Sequence, residues 1–283
     1  MIKTVPAAGG GADLIFQSSA DLGESFAERM KVNDVSGEVY DHGENSPLLL
    51  TSPDESFLYA VWNGRDPKNP EAGGIRFSRS GTMRIAWSPA VTVNDDPKPA
   101  SRGFQTAAVA PDGTIYFTTP AAIFAPTAPG YRLAQDPMSA MGKVLHLNAD
   151  GTVPPSNPFV GKAGYRPEIY SMGHRDQLGL FWHASGRLFQ AEHGPNGGDE
   201  VNIIRAGGNY GWPISSFGRQ YPGNRVSEIP WKEGIELPQI LWIPSIGPSG
   251  LMIYNGDKFP AWKGNLFVGS AQYGEVRGTG HLQ

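Results

Sequence analysis

Three short stretches of this chain set an imidazole, a guanidinium or a carboxylate just ahead of an apolar run: Asp41-His42-Gly43-Glu44-Asn45, Arg102-Gly103-Phe104-Gln105 and His174-Arg175-Asp176-Gln177. A fourth, Glu192-His193-Gly194-Pro195 through Asp199-Glu200, adds an acidic pair behind a glycine-rich turn. His42 and His174 have the side chain that takes or gives a proton near neutral pH. Arg175 presents a planar fork of donors suited to an anionic ligand. Glu44, Asn45, Gln105 and Asp176, with His193 or Asp199, offer groups that suit a hard cation such as calcium. A cation so held polarises a carbonyl or phosphoryl oxygen while a base activates water. Each group also has a structural use: His174 and Arg175 can tie strand ends together, and Asp199-Glu200 can close a turn. The run Gly194-Pro195-Asn196-Gly197-Gly198 is not followed by the Lys-Ser/Thr of a phosphate-binding loop, which argues against a nucleotide ligand.

Such groups cooperate only if a frame makes them converge, and internal repeats describe that frame. Ser19-Ala20-Asp21-Leu22-Gly23-Glu24-Ser25-Phe26 has the pattern of an Asp-box turn, in which the Asp bonds nearby backbone and the Gly accepts positive φ. The same spacing returns sixty-one residues later at Ser80 to Trp87, with Phe16 recurring as Phe77 and Val32-Asn33-Asp34 as Val93-Asn94-Asp95. Thr82 and Arg84 replace the polar turn residues, so spacing survives where a ligand site would not, which marks a scaffold. A second pattern joins Leu48–Asp54 to Phe57–Trp62, Ala107–Gly113 to Ile115–Phe117 and Leu180–Gly186 to Leu188–Gln190, and recurs over Ser249–Gly269. Each is an inner strand, a turn and a returning strand, the start of a propeller blade.

The expectation is therefore an all-β chain forming one β-propeller over residues 1–283, with five or six blades. Blades fall at 44–97, 102–150, 168–206 and 246–282, while 12–35 supplies two strands. Closure would come from the N-terminal strands lying beside the C-terminal ones, or from a second copy in a homo-oligomer that completes the ring. Loops leading into inner strands face the central channel, which brings His42, Gln105, His174, Arg175 and Asp176 together.

The runs GHRDQLGL (173–180), EHGPNGGDEVN (192–202) and GGNYGWP (207–213), with Gly142 to Phe159 and Trp242 to Gly269, resemble the PQQ-dependent aldose sugar dehydrogenases and soluble glucose dehydrogenases. The resemblance runs from about residue 138 to 270, and the part before residue 100 resembles sialidase-like Asp-box repeats. The chain thus looks like two propeller lineages joined near residue 100, one over 1–100 and the other over 101–283. The resemblance implies a six-bladed propeller carrying calcium and the quinone PQQ over its channel. It places Arg175 and Asp176 at quinone-contacting positions, with Gln105 in the neighbouring loop, and the backbone carbonyls of Gly194 and Pro195 at the calcium. The chain departs from the family where Asp176 stands for an Asn, and where Ser101 to Thr106 lacks the family's catalytic His. The family's late Arg pair has no counterpart after Gly269.

Two other readings draw on the same channel. Oxygen donors from successive blades are similar in architecture to the calcium site of propeller lactonases and phosphotriesterases, which implies a metal-dependent hydrolase of lactones, esters or phosphotriesters. A non-catalytic carbohydrate-binding propeller would need neither base nor cofactor clamp.

Composition bounds the rest. Gly 37, Pro 25 and a charged fraction of 18% suit many short strands joined by turns. A formal net charge of -4 leaves no basic footprint for nucleic acid. With no cysteine, disulfides and thiolate chemistry are excluded. No stretch approaches membrane-span length, and Met1 to Phe16 lacks the charged and apolar regions of a signal peptide, although the family it resembles is commonly periplasmic or secreted. A small-molecule substrate is the expected partner.

Overall fold

Strands in this chain are short because glycine, proline and Asx turns interrupt the apolar alternation every few residues. The computed structural model describes residues 1–41, 46–66, 69–83, 85–94, 105–121, 131–272, 276 and 278–283. Among them are five antiparallel sheets. Sheet I holds β1 (Ile2–Pro6), β2 (Ala12–Phe16) and β3 (Met30–Lys31). Sheet II holds β4 (Leu48–Thr51), β5 (Phe57–Asp66), β6 (Asn69–Gly81) and β7 (Val91–Thr92). Sheet III holds β8 (Ala107–Val109), β9 (Ile115–Thr119), β10 (Lys143–Leu147) and β11 (Ile169–Met172). Sheet IV holds β12 (Asp176–His183), β13 (Arg187–His193), β14 (Asp199–Ile204) and β15 (Ile240–Trp242). Sheet V holds β16 (Pro248–Ile253), β17 (Leu266–Ser270) and β18 (His281–Leu282). In every sheet the strands follow one another in chain order, each pairing with the next.

Consecutive sheets pack face to face, and each seam is a separate apolar core. Leu14, Phe16, Ala60 and Trp62 fill the seam between sheets I and II. Tyr59, Phe77, Phe117 and Leu145 fill the next, with Phe77 and Phe117 meeting edge to face at 5.6 Å. Tyr116, Val144, Leu180 and Leu188 join sheets III and IV, and Ala191, Val201 and Val268 join IV to V. A meander repeated in this way, each unit touching its neighbours, is the propeller plan.

The sixty-one-residue repeat is visible in hydrogen bonds. Asn33 Oδ1 accepts from Leu14 N at 2.7 Å, and Asn94 Oδ1 accepts from Ile75 N at 2.6 Å. Val32 N donates to Leu14 O, and Val93 N to Ile75 O, so the same three positions recur at the same offset. The turn over Ser19 to Ser25 is closed by Asp21, which accepts from Ser25 N at 2.9 Å and from the hydroxyls of Ser19 and Ser25.

Two boundaries differ from expectation. The first sheet has three strands rather than two, because Ile2–Pro6 pairs along Ala12–Phe16. Residues 169–172 close sheet III as β11, and sheet IV begins at Asp176 and gains its outer strand only at 240–242. Both outer strands lie far along the chain from their partners and are short, so local periodicity does not reveal them.

Candidate functional site

The site is built where the chain passes from sheet III to the first strand of sheet IV. Gly173 makes the corner at φ 78, and a Cβ there would lie 2.2 Å from Asn209 Oδ1 and 2.7 Å from Gly211 N. Only glycine fits, and the corner delivers His174, Arg175 and Asp176 to β12. Asp176 pairs with His193 across β12 and β13, while Gln177 pairs with Glu192, and Glu192 in turn with Glu200.

Glu192 organises the interior of this corner. Its Oε2 accepts from Arg175 N at 2.7 Å, and its Oε1 accepts from Asn202 Nδ2 at 3.0 Å and lies 3.2 Å from His174 Nδ1. His174 Nε2 lies 2.8 Å from Ser171 Oγ, and the ring stacks on Tyr210 with centroids 4.6 Å apart. Burial, and then the Glu192 carboxylate opposite, hold the Glu200 carboxyl well above its usual range.

Arg175 points the other way. Its guanidinium carbon sits 5.3 Å from the centroid of the Trp212 ring, and Nη1 donates to His193 O at 2.9 Å. A small cleft of about 20 Å³, bounded by Gly173, Arg175, His193, Glu200, Tyr210 and Trp212, lies beside it. A guanidinium beside an aromatic ring is a group that suits an anionic, planar ligand.

The Gly194–Gly198 turn is fixed by Asp199. Gly194 N donates to Oδ1 at 2.9 Å, while Ser245 Oγ, Ile246 N and Gly247 N donate to Oδ2 at 2.8, 2.8 and 2.9 Å. Asp199 therefore fastens sheet IV to the loop ahead of sheet V. His193 helps, its Nε2 lying 2.7 Å from Pro248 O. Pro195 O accepts from Arg219 N at 2.9 Å.

The expected site residues meet different fates. Arg175 lines the cleft, and Asp176 is buried one residue on, opposite His193. His174 was expected as a base, but it is fully buried with both ring nitrogens engaged, so it holds the corner rather than moving a proton. Gln105 is buried ahead of β8, and neither atom of its amide has a partner, which leaves a donor and an acceptor for a ligand. His42, Glu44 and Asn45 lie outside the described residues. Among the described residues no group of three or more His, Cys, Asp or Glu is placed to hold a metal ion. Glu192 and Lys143 were missed, and Glu200 was read only with Asp199 as an acidic pair at the turn. The signal available was a charge inside strands that otherwise read as buried, Phe189-Gln190-Ala191-Glu192-His193 and Lys143-Val144-Leu145-His146-Leu147.

Comparison with known proteins accounts for this arrangement. The glucose/sorbosone dehydrogenase family matches residues 54–279, a span that crosses the expected join near residue 100. An aldose sugar dehydrogenase of Escherichia coli (strain K12) is 40% identical over 146 residues, covering 50% of this chain and 39% of that protein. The chain thus spans well under two thirds of the length of the curated relatives it matches. A glucose dehydrogenase crystal structure superposes with a TM-score of 0.75 at 28% identity, covering 95% of this chain and 79% of the other. A PQQ-bound aldose sugar dehydrogenase from Streptomyces coelicolor superposes with a TM-score of 0.59 at 25% identity, over 99% and 79% of the two chains. These likenesses include the motifs that build the corner at Gly173, the Asp199 turn and the Trp212 platform, and the chain belongs to the glucose/sorbosone dehydrogenase family.

Proposed function

We propose that this chain is a PQQ-binding sugar dehydrogenase in which Arg175 receives the quinone on the Trp212 side of the cleft. The single observation that carries this reading is the Arg175 guanidinium held against Trp212, with its own backbone N–H fixed by Glu192. The described residues suit the cofactor: a planar polyanion is drawn to a guanidinium, and Gln105 has buried donor and acceptor atoms still to be satisfied. When bound, such a quinone accepts a hydride from the carbon of an aldose that is being oxidised.

What the chain's own residues do is hold still. Gly173 and Glu192 fix the Arg175 backbone, Trp212 supports its side chain, and Asp199 sets the Gly194-Pro195 turn. Such preorganisation acts on the barrier because no donor has to move when charge develops. Proton removal from the sugar falls outside His174 and Glu192, whose polar atoms are already engaged. For calcium, the Gly194 and Pro195 carbonyls are the groups to which the family resemblance points, and among the described residues no carboxylate cluster joins them. The hydrolase reading requires several side-chain ligands meeting at one point, and no observation favours it.

The reading is tested by titrating the protein with PQQ and calcium while following quinone absorbance and dye-coupled oxidation of aldoses. Wild-type protein should bind and turn over. Arg175→Ala should lose at least tenfold in quinone affinity with the fold unchanged by circular dichroism. Equal binding by the variant and the wild type would sink the assignment.

A further inference from the structure

Lys143 opens β10, a strand whose every residue is buried, and is itself fully enclosed. Its ammonium donates to Leu133 O at 2.9 Å, Ala134 O at 3.1 Å and Met141 O at 2.6 Å. Three donors on the ammonium thus meet three carbonyls on one segment, residues 133–141, which carries almost no regular structure of its own beyond a short turn of 3-10 helix at Leu133–Gln135. That segment then holds the site. Gly173 N donates to Ala134 O at 3.0 Å, and His174 N to Gly142 O at 3.1 Å. Gln135 Nε2 donates to Trp212 O at 2.7 Å and to Asn209 Oδ1 at 3.0 Å. Tyr131 meets Trp212 edge to face, with Ala134 and Met141 in the same apolar cluster.

We propose that Lys143 is a positioning residue for the anion-binding corner: its ammonium, serving as an internal cation for backbone carbonyls, orders residues 131–142 and thereby holds Gly173, His174 and the Trp212 platform under Arg175. The inference rests on the proposed quinone site for its functional consequence and on hydrogen bonding alone for its structural one. Hydrophobic packing does not replace this arrangement, because removing the ammonium takes the donor from Met141 O and leaves Leu133 O and Ala134 O only the backbone donors Asp136 N and Gly173 N.

Two readouts separate these levels. In Lys143→Met, which keeps an unbranched side chain of similar length, the amides of residues 131–142 and 173–176 should exchange with deuterium at least tenfold faster, while those of sheets I and II keep their protection. Quinone affinity, read from its absorbance, should fall at least tenfold. Should that variant fail to fold, Lys143→Ala produced and refolded with n-propylammonium restores the removed carbons and ammonium, and 1-propanol serves as the uncharged control. Recovery of exchange protection with n-propylammonium and not with 1-propanol is the expected result. Wild-type exchange in Lys143→Met, or equal recovery of Lys143→Ala with the alcohol, would overturn the proposal. If the wild type does not bind PQQ, the exchange experiment still decides the role of Lys143, and it is the functional reading that has failed.

Discussion

Charges inside this protein are placed where backbone groups receive them, and Asp13 shows the pattern at a site remote from the cleft. Burial pushes its carboxyl up, but hydrogen bonds from Asn33, Gly37 N, Ser36 and Lys31 outweigh it and bring the pKa down to about 2. A depressed carboxylate contributes stability that is fully present above the ordinary value of 3.8 and is lost as the pH falls toward 2. Asp13→Asn should therefore cost about 1–2 kcal/mol at neutral pH, the upper figure being reduced by the solvent that reaches Lys31. It should also flatten the acid limb of the urea midpoint between pH 4 and pH 2. An unchanged acid limb would show that the four contacts do not act on the ionised form. Side chains of this kind were only partly legible in the sequence. Arg175 was singled out as a channel residue that contacts the quinone, and the structure sets it beside Trp212. His174 was misread, because nothing in the chain order shows that Ser171 and Glu192 close on its two nitrogens from either side.

At the scale of the strand, the paired asparagines Asn33 and Asn94 do what a further strand residue would do, offering an oxygen to Leu14 N and Ile75 N beyond the ends of β3 and β7. Both amides are buried, so losing the acceptor leaves a donor unpaired. Asn33→Ala and Asn94→Ala should each lower stability by about 1–3 kcal/mol in urea unfolding. Their effects should add in the double variant, because they lie in different sheets with no shared partner. A double variant no worse than either single one would mean that the two sheets do not stabilise each other independently. The repeat spacing was legible because a turn and an aromatic recur at a fixed interval. Strands β11 and β15 were not, since a pairing partner reached after a long excursion leaves no periodic mark.

Across the whole molecule, stability is distributed over the seams between sheets. Leu188 is buried between sheets III and IV, and Leu188→Ala should cost about 2–5 kcal/mol. Met252 lies on β16 with its side chain half exposed, and Met252→Ala should change stability by less than about 0.5 kcal/mol. Thermal unfolding of the two variants side by side checks the contrast, and a large loss at Met252 would show that the exposed side of sheet V is covered in solution. The propeller plan was legible from composition and repeats, and the conversion of five meanders into seams follows from the alternation within each strand.

The matched asparagines of the first two sheets carry one more consequence. Each of these asparagines accepts from a strand inside its own sixty-one-residue segment, so the closing oxygen belongs to the part it closes. Copying such a segment moves that terminal bond along with the strands it finishes, while the bonds between segments, such as Ala90 N to Asp34 Oδ2, have to be matched at the join.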